Sequence, residues 1–146
     1  MKKQLLLLGL IVILATGCGN TNNSSCIINA NGTCITKVQA LSSKQSSWND
    51  VRKTCDGVKN MPNPEDLSNI ASYIYEDFSI SQESSRYTAN KEHFNKFGSP
   101  IFYIWSSEKI SNNSAYLRQY YMVSTEQVQA KSDANFPFVT AVCVKH

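Results

Sequence analysis

The sequence predicts an α+β domain that is braced by disulfide bonds. Two segments with helical periodicity come first, beginning at Ser47 and Asn63, and β-branched and aromatic runs typical of strands follow from Ile101 onward. Four cysteines follow the N-terminal segment of a chain that carries an export signal, and this number indicates a disulfide framework. We therefore expect two helices and a small antiparallel sheet within residues 26–146.

The N-terminal segment MKKQLLLLGLIVILATGC is typical of a secretory signal peptide, with a charged head, an apolar run and small residues before Cys18. Its ending resembles a bacterial lipobox, which implies a signal peptide of residues 1–17 and acylation of Cys18. Two or more fatty chains, such as palmitate, would anchor the protein firmly to a membrane. Gly19 in place of Asp resembles outer-membrane sorting, and the polar residues 18–25 read as a tether.

The charge of the exported chain excludes one class of partner. Of the 14 basic residues, Lys2 and Lys3 lie in the signal peptide, so 12 basic and 11 acidic residues remain. A near-neutral chain gives no basis for nucleic-acid binding. The partners we expect are the membrane, through the lipid, and a glycan or protein ligand. No cofactor is indicated.

The four domain cysteines permit three disulfide connectivities. Cys26 and Cys34 bracket a segment that contains Asn-Gly, a strong hairpin-turn signal. A local Cys26–Cys34 bond is therefore favoured, which leaves Cys55 to pair with Cys143. Zinc is the competing interpretation, but the chain has no Cys-x-x-Cys pair and only two histidines.

The first helix begins at Ser47 after a short strand over residues 35–40. Ser47 and Asp50 have the spacing of a capping box, and Trp48, Val51 and Cys55 share one helical face. Gly57 or Asn60 is expected to end this helix.

Asn63 as a cap and Pro64 at the first helical position predict the start of the second helix. Its apolar residues repeat at helical spacing: Leu67, Ile70, Ala71, Ile74 and Phe78. Residues 79–99 are polar with little periodicity and predict a long loop. Three strands are then expected in IFYIWSS, AYLRQYYMVS and FPFVTAVCVK, with a short additional strand over 126–131.

Two segments resemble a known family. SWNDVRKTCDGVKNMPNPEDLSNI resembles the opening, and FYIWSSEKISNNSAYLRQYY together with FVTAVCVK resembles the ending, of the bacterial C-type-lectin-like domains known from the C-terminal domain of a collagen-like adhesin. The match spans about residues 46–145. It departs from the family pattern at Met61, at Asp66 and at Ala141. The resemblance implies a C-type-lectin-like fold in which a first-helix cysteine pairs with one in the last strand, here Cys55 with Cys143.

Residues Trp48, Asn49 and Asp50 form a Trp-Asn-Asp tripeptide. In calcium-dependent lectins the same tripeptide lies on a late strand beside the metal. Here it opens the first helix, and no acidic cluster supplies the several oxygen ligands that calcium requires. We therefore expect no metal site. The indole should pack under the sheet while Asp50 caps the helix.

The leading functional hypothesis is a cell-envelope lipoprotein with a ligand-binding or adhesion domain that is not an enzyme. Loops on a rigid scaffold carry recognition, and aromatic rings on loops and strands stack on sugars. The candidate ligand-binding residues are Tyr87, Phe94, Phe97, Tyr120 and Tyr121. The alternative is a structural or assembly subunit of an envelope protein complex. Catalysis is disfavoured because His93 has no nucleophile motif beside it.

Overall fold

The computed structural model describes residues 25–79 and 86–146. The expectations for the signal peptide, for lipidated Cys18 and for nearly all of the tether concern residues outside this described part. Within it, no helix is long and apolar enough to cross a membrane.

The described chain contains six strands, three α-helices and one short 3₁₀ turn. They follow in the order β1 (Ile28–Ala30), β2 (Thr33–Ala40), α1 (Trp48–Thr54), the 3₁₀ turn (Val58–Asn60), α2 (Pro64–Ile74), α3 (Lys91–Asn95), β3 (Ile101–Ser111), β4 (Ser114–Tyr121), β5 (Thr125–Lys131) and β6 (Thr140–Lys145).

The predicted α+β, C-type-lectin-like fold class is wrong, because the described chain is mainly β. Its strands form two separate three-stranded antiparallel sheets, with the orders β1-β2-β6 and β3-β4-β5. The prediction placed the late strands in one small sheet. Instead, β6 pairs with β2, with Val38 opposite Val142, and the Asn31-Gly32 turn builds the β1–β2 hairpin. The expected pattern of two helices and one small sheet is not found in residues 25–79 and 86–146.

Both predicted helix starts are confirmed, because each depends on contacts only three residues apart. The amide of Asp50 donates to the Ser47 hydroxyl, and the Ser47 amide donates back to the Asp50 carboxylate at 2.9 Å. Asn63 and Asp66 form the same reciprocal pair at the start of α2. The helices are shorter than predicted: α1 ends at Thr54 and α2 at Ile74.

The alternation of side chains in β6 divides the core between two clusters. Val142 and Val144 face the cluster that α2 covers, whereas Ala141 and Cys143 face the cluster that contains Trp48 of α1. The first sheet therefore lies between α1 on one side and α2 on the other.

Two tryptophans fasten α1 to β3 by reciprocal hydrogen bonds. The indole Nε1 of Trp48 donates to the Ser106 carbonyl at 2.8 Å, and that of Trp105 donates to the Ser46 carbonyl at 2.9 Å. Trp105 is fully buried and Trp48 nearly so. The burial expected for the Trp48 indole is confirmed, and Trp105 is a second buried indole beside it.

Both predicted disulfides are present. Cys26 is bonded to Cys34 across the β1–β2 hairpin, and Cys55 at the end of α1 is bonded to Cys143 in β6. The second bond connects two segments that are 88 residues apart in sequence, and it forms part of the site described below.

Candidate functional site

Four of the five aromatic candidates lie in the core, which corrects the prediction that they meet a ligand. Phe94, Phe97 and Tyr120 pack against the ring of Phe102, with centroid distances of 4.9, 5.5 and 4.7 Å. Tyr87 packs against Tyr75 at 5.4 Å. All four candidates are 7% exposed or less, so their faces are covered by other rings.

The reason is that the described part of the predicted loop, residues 86–99, contains a helix. Residues 91–95 form α3. The side chain of Asn90 caps the start of this helix by accepting a hydrogen bond from the His93 amide at 3.1 Å. This short helix carries Phe94 into the core. Of the five aromatic candidates, Tyr121 alone is half-buried, and its hydroxyl donates to the Gln119 side chain.

A polar concavity lies on the α1 side of the first sheet, and we name it the lysine groove. Its volume is about 590 Å³, within the range of small-molecule sites. Its lining residues are Thr36 and Lys37 of β2, Thr54, Cys55 and Asp56 at the end of α1, Lys59 and Asn60 of the 3₁₀ turn, and Cys143, Val144 and Lys145 of β6.

A bulge in β2 sets the position of Lys37. The pairing with β6 shifts register between Ile35 and Lys37, so Thr36 is the extra residue. The Thr36 hydroxyl donates to the Cys143 carbonyl at 3.2 Å. Lys37 then lies opposite Cys143, and its ammonium donates to the Thr54 carbonyl at 3.1 Å. A cation is favourable there because the C-terminal end of a helix carries partial negative charge.

The opposite wall of the lysine groove follows α1. Asp56 and Gly57 reverse the chain with positive φ angles of 58° and 128°, and the 3₁₀ turn comes next. The Asn60 side chain donates to the Cys55 carbonyl at 2.8 Å, which fastens this turn to the end of α1. The Cys55–Cys143 bond joins this wall to β6. The groove is thus built on cross-linked backbone.

The C-terminal residue His146 continues β6 beyond the groove and is fastened to α2. Its Nε2 lies 2.7 Å from a carboxylate oxygen of Asp66, and its Nδ1 lies 3.2 Å from the Lys59 carbonyl. Both neighbouring atoms accept hydrogen bonds, so both ring nitrogens donate only in the protonated form. The hydrogen bond to Asp66 accordingly raises the pKa of His146. Asp66 is itself held by the Thr33 hydroxyl at 2.8 Å.

The lining of the lysine groove offers hydrogen-bond donors and positive charge. Its two cysteines are joined in a disulfide, so neither is a thiol nucleophile, and no histidine is among the lining residues. Within residues 25–79 and 86–146, no three His, Cys, Asp or Glu side chains are grouped to hold a metal ion. The lining side chains offer ammonium, hydroxyl, amide and carboxylate groups to a ligand.

A smaller apolar cleft of about 300 Å³ lies at the start of β6. Phe138 borders it with a φ of 65° and a side chain that is 54% exposed. A bulky residue in the left-handed region is uncommon. The position is held because the Phe138 carbonyl accepts from the Tyr103 amide at 2.9 Å.

Comparison of the chain with protein-family models, with curated proteins and with solved structures finds no match.

The sequence reasoning missed the lysine groove. Lys37, Lys59 and Lys145 are far apart in sequence and come from three different elements. One signal was present: Lys59 and Lys145 lie four and two residues after the cysteines of the predicted Cys55–Cys143 bond. That bond brings their segments together.

Proposed function

We propose that this protein is a lipoprotein of the bacterial cell envelope whose disulfide-braced domain binds a ligand, without catalysis, in the lysine groove. Acylated Cys18 anchors it to the membrane, the outer membrane being favoured by Gly19. Residues 18–25 hold the domain away from the surface. The domain thereby presents the groove to a glycan or to a protein, as an adhesion or recognition module does.

The observation that carries the proposal is the lysine groove itself. It combines about 590 Å³ of volume with three lysines, two threonines and one asparagine on its walls. Its lining includes no free thiol and no histidine, which favours binding over covalent chemistry.

The proposal is tested on the anchor and on binding. Cells that express the protein are labelled with an alkyne palmitate analogue, and we expect label on the wild type and none on Cys18→Ser. Purified full-length protein is then applied in detergent to a glycan array that contains neutral and acidic sugars. Saturable binding of at least one class supports the proposal. A protein that is unlabelled and binds nothing contradicts it.

A second candidate function is a subunit of an envelope protein complex, and β5 is the observation that favours it. Among residues 25–79 and 86–146, this seven-residue strand, Thr125–Lys131, pairs only with β4, which leaves the other edge of β5 open there. An open edge offers backbone groups to a strand of another protein. In vivo cross-linking from position 127 would capture one fixed envelope protein if this function is the main one. Glycan binding by the wild type, with no cross-linked complex from position 127, would favour the ligand-binding function.

A further inference from the structure

The side of β5 that faces away from β4, which we name the β5 edge, lacks the features that usually keep a sheet edge from pairing. The pairing of Thr125–Lys131 with β4 runs from end to end without a register shift. The strand contains no proline, and its central residues 127–130 carry no charge. Natural edges are commonly protected by prolines, bulges, charged side chains or very short strands. Along the described chain, this edge is therefore open to a further strand.

Hydrogen bonds at both ends of β5 show which of its backbone groups point outward. The Ser124 carbonyl accepts, and the Ser132 amide donates, a bond of 2.8 Å across the ladder to the chain of β4. Bonded positions alternate along an antiparallel ladder, so counting from either end places the even-numbered residues of β5 in the bonded pairs. Gln127 and Gln129 therefore direct their amides and carbonyls to the open side.

One face of β5 is apolar and belongs to the core. Val128 lies opposite Leu117 and Ala130 lies opposite Ala115, and both β5 side chains pack, half-buried, against the cluster that contains Trp48. At a sheet edge, one flank of such side chains has no neighbouring strand. Apolar residues on an added strand would cover that flank and bury further apolar area.

The other face of β4 and β5, which we name the outer face, carries positive charge. Arg118 of β4 lies opposite Gln127, and Lys131 ends β5 on the same face. The Arg118 guanidinium leans toward β5, where its Nη1 donates to the Thr125 hydroxyl at 3.2 Å, and its buried Nε has no hydrogen-bond partner. Among the described residues, neither Arg118 nor Lys131 forms an ion pair.

This charge decides which kind of strand fits. Carboxylates form the strongest hydrogen bonds with guanidinium and ammonium groups. An added strand lies about 4.8 Å beyond β5, so its long acidic side chains lie beside Lys131 and extend over β5 toward Arg118. A second copy of β5 does not fit, because pairing about a two-fold axis brings the cations of both copies onto one face, and no acid of β5 lies on that face.

We propose that the β5 edge binds an extended segment of another protein in which apolar and acidic residues alternate. Its backbone groups bond to Gln127 and Gln129, and its apolar side chains lie beside Val128. Its carboxylates face Arg118 and Lys131. The inference names the partner chemistry for the second candidate function, on which it rests; binding in the lysine groove does not depend on it.

Full-length protein in detergent is titrated at low salt into four fluorescently labelled peptides that are capped at both ends, and binding is followed by anisotropy. In the first peptide, TVEVEVT, valine and glutamate alternate. The second has lysine in place of glutamate, the third is TVVEEVT, and the fourth is the first with N-methyl groups on its three central residues. The first should bind saturably and the others at least about tenfold more weakly, because they lose the charge attraction, the alternation or the backbone donors.

Matched variants locate the binding. Gln129→Pro removes an outward amide and no bond to β4, and it should weaken binding of the first peptide at least about tenfold; Gln127→Pro is a second variant of this kind. Gln129→Thr keeps the amide and should bind like wild type. Lys131→Gln should weaken binding about twofold to fivefold, as expected for an exposed ion pair. Lys59→Gln alters the lysine groove and should bind like wild type.

Three results would overturn the inference. The first is weaker binding by Lys59→Gln with unchanged binding by folded Gln129→Pro, checked by circular dichroism, which would place the peptide in the lysine groove. The second is binding of the lysine peptide or the N-methylated peptide as tightly as the first.

The third is no binding of the first peptide. Self-association of the protein that Gln129→Pro abolishes in sedimentation would then identify a second copy as the occupant of the edge. If cross-linking from position 127 still captures one fixed envelope protein, the acidic segment is wrong while the second candidate function stands. If no cross-linked complex forms, both are wrong.

Discussion

The Cys55–Cys143 bond closes a much longer loop than the Cys26–Cys34 bond, with sequence separations of 88 and 8 residues. A disulfide stabilises mainly by restricting the unfolded chain, and the restriction grows with the logarithm of loop length. For these separations the chain-entropy relation gives about 4.5 kcal/mol for the long loop and about 2.5 kcal/mol for the short one. Replacing Cys55 and Cys143 by alanine should therefore cost about 2 kcal/mol more than replacing Cys26 and Cys34.

Both double variants are unfolded in urea beside the wild type, and the free energy of unfolding is taken from the midpoint and slope. The short-loop variant is the matched control, since it also loses one bond and two sulfur atoms. The long-loop variant should also lose groove binding, because this bond joins α1 to β6. Equal losses of stability in the two variants, or a greater loss in the short-loop variant, would refute the reasoning.

Three further predictions concern single side chains. His146→Gln should lower the thermal midpoint at pH 5.5 but have little effect at pH 8.5, because Asp66 raises the pKa of His146. The stabilisation is complete below about pH 6.5 and is lost as pH rises through the raised pKa; the half-exposed ring limits it to about 1 kcal/mol. Gly57→Ala should cost about 1–3 kcal/mol in urea unfolding, since φ is 128°. Trp48→Phe leaves the Ser106 carbonyl unpaired and should cost about 1–3 kcal/mol by the same assay.

Each of these predictions has its own contradicting result. If His146→Gln lowers the thermal midpoint equally at pH 5.5 and pH 8.5, protonation of His146 is not what stabilises its contact with Asp66. An alanine at position 57 without cost would show that the chain reversal adopts another conformation. Trp105→Phe is the matched comparison for Trp48→Phe, because it removes the reciprocal bond to the Ser46 carbonyl; a large loss in only one of the two would show that the bonds do not act as a pair.

Features decided by neighbouring residues could be predicted from the sequence. Ser47 and Asn63 cap their helices through residues three positions away, so the sequence alone carries the signal. The Asn31-Gly32 turn is local in the same way, with φ angles of 49° and 103° that few other residue pairs accept. The turn also placed Cys26 beside Cys34.

Features decided by distant partners could not be predicted in the same way. The pairing of Cys34 with Lys145 in the β2–β6 ladder depends on which strands meet, and nothing in either strand specifies it. The burial of Phe94 depends on α3, a five-residue helix too short to leave a clear periodic pattern. The lysine groove is the same case, since its walls meet only after the sheets have formed.

The most direct test of the central claim is a two-dimensional ¹H–¹⁵N spectrum of the full chain in detergent micelles during titration with the glycan that binds most strongly on the array. The account predicts that amide shifts concentrate at residues 36–37, 54–60 and 143–145, which line the lysine groove. Shifts concentrated at the apolar cleft around Phe138, or at the β5 edge, would contradict it.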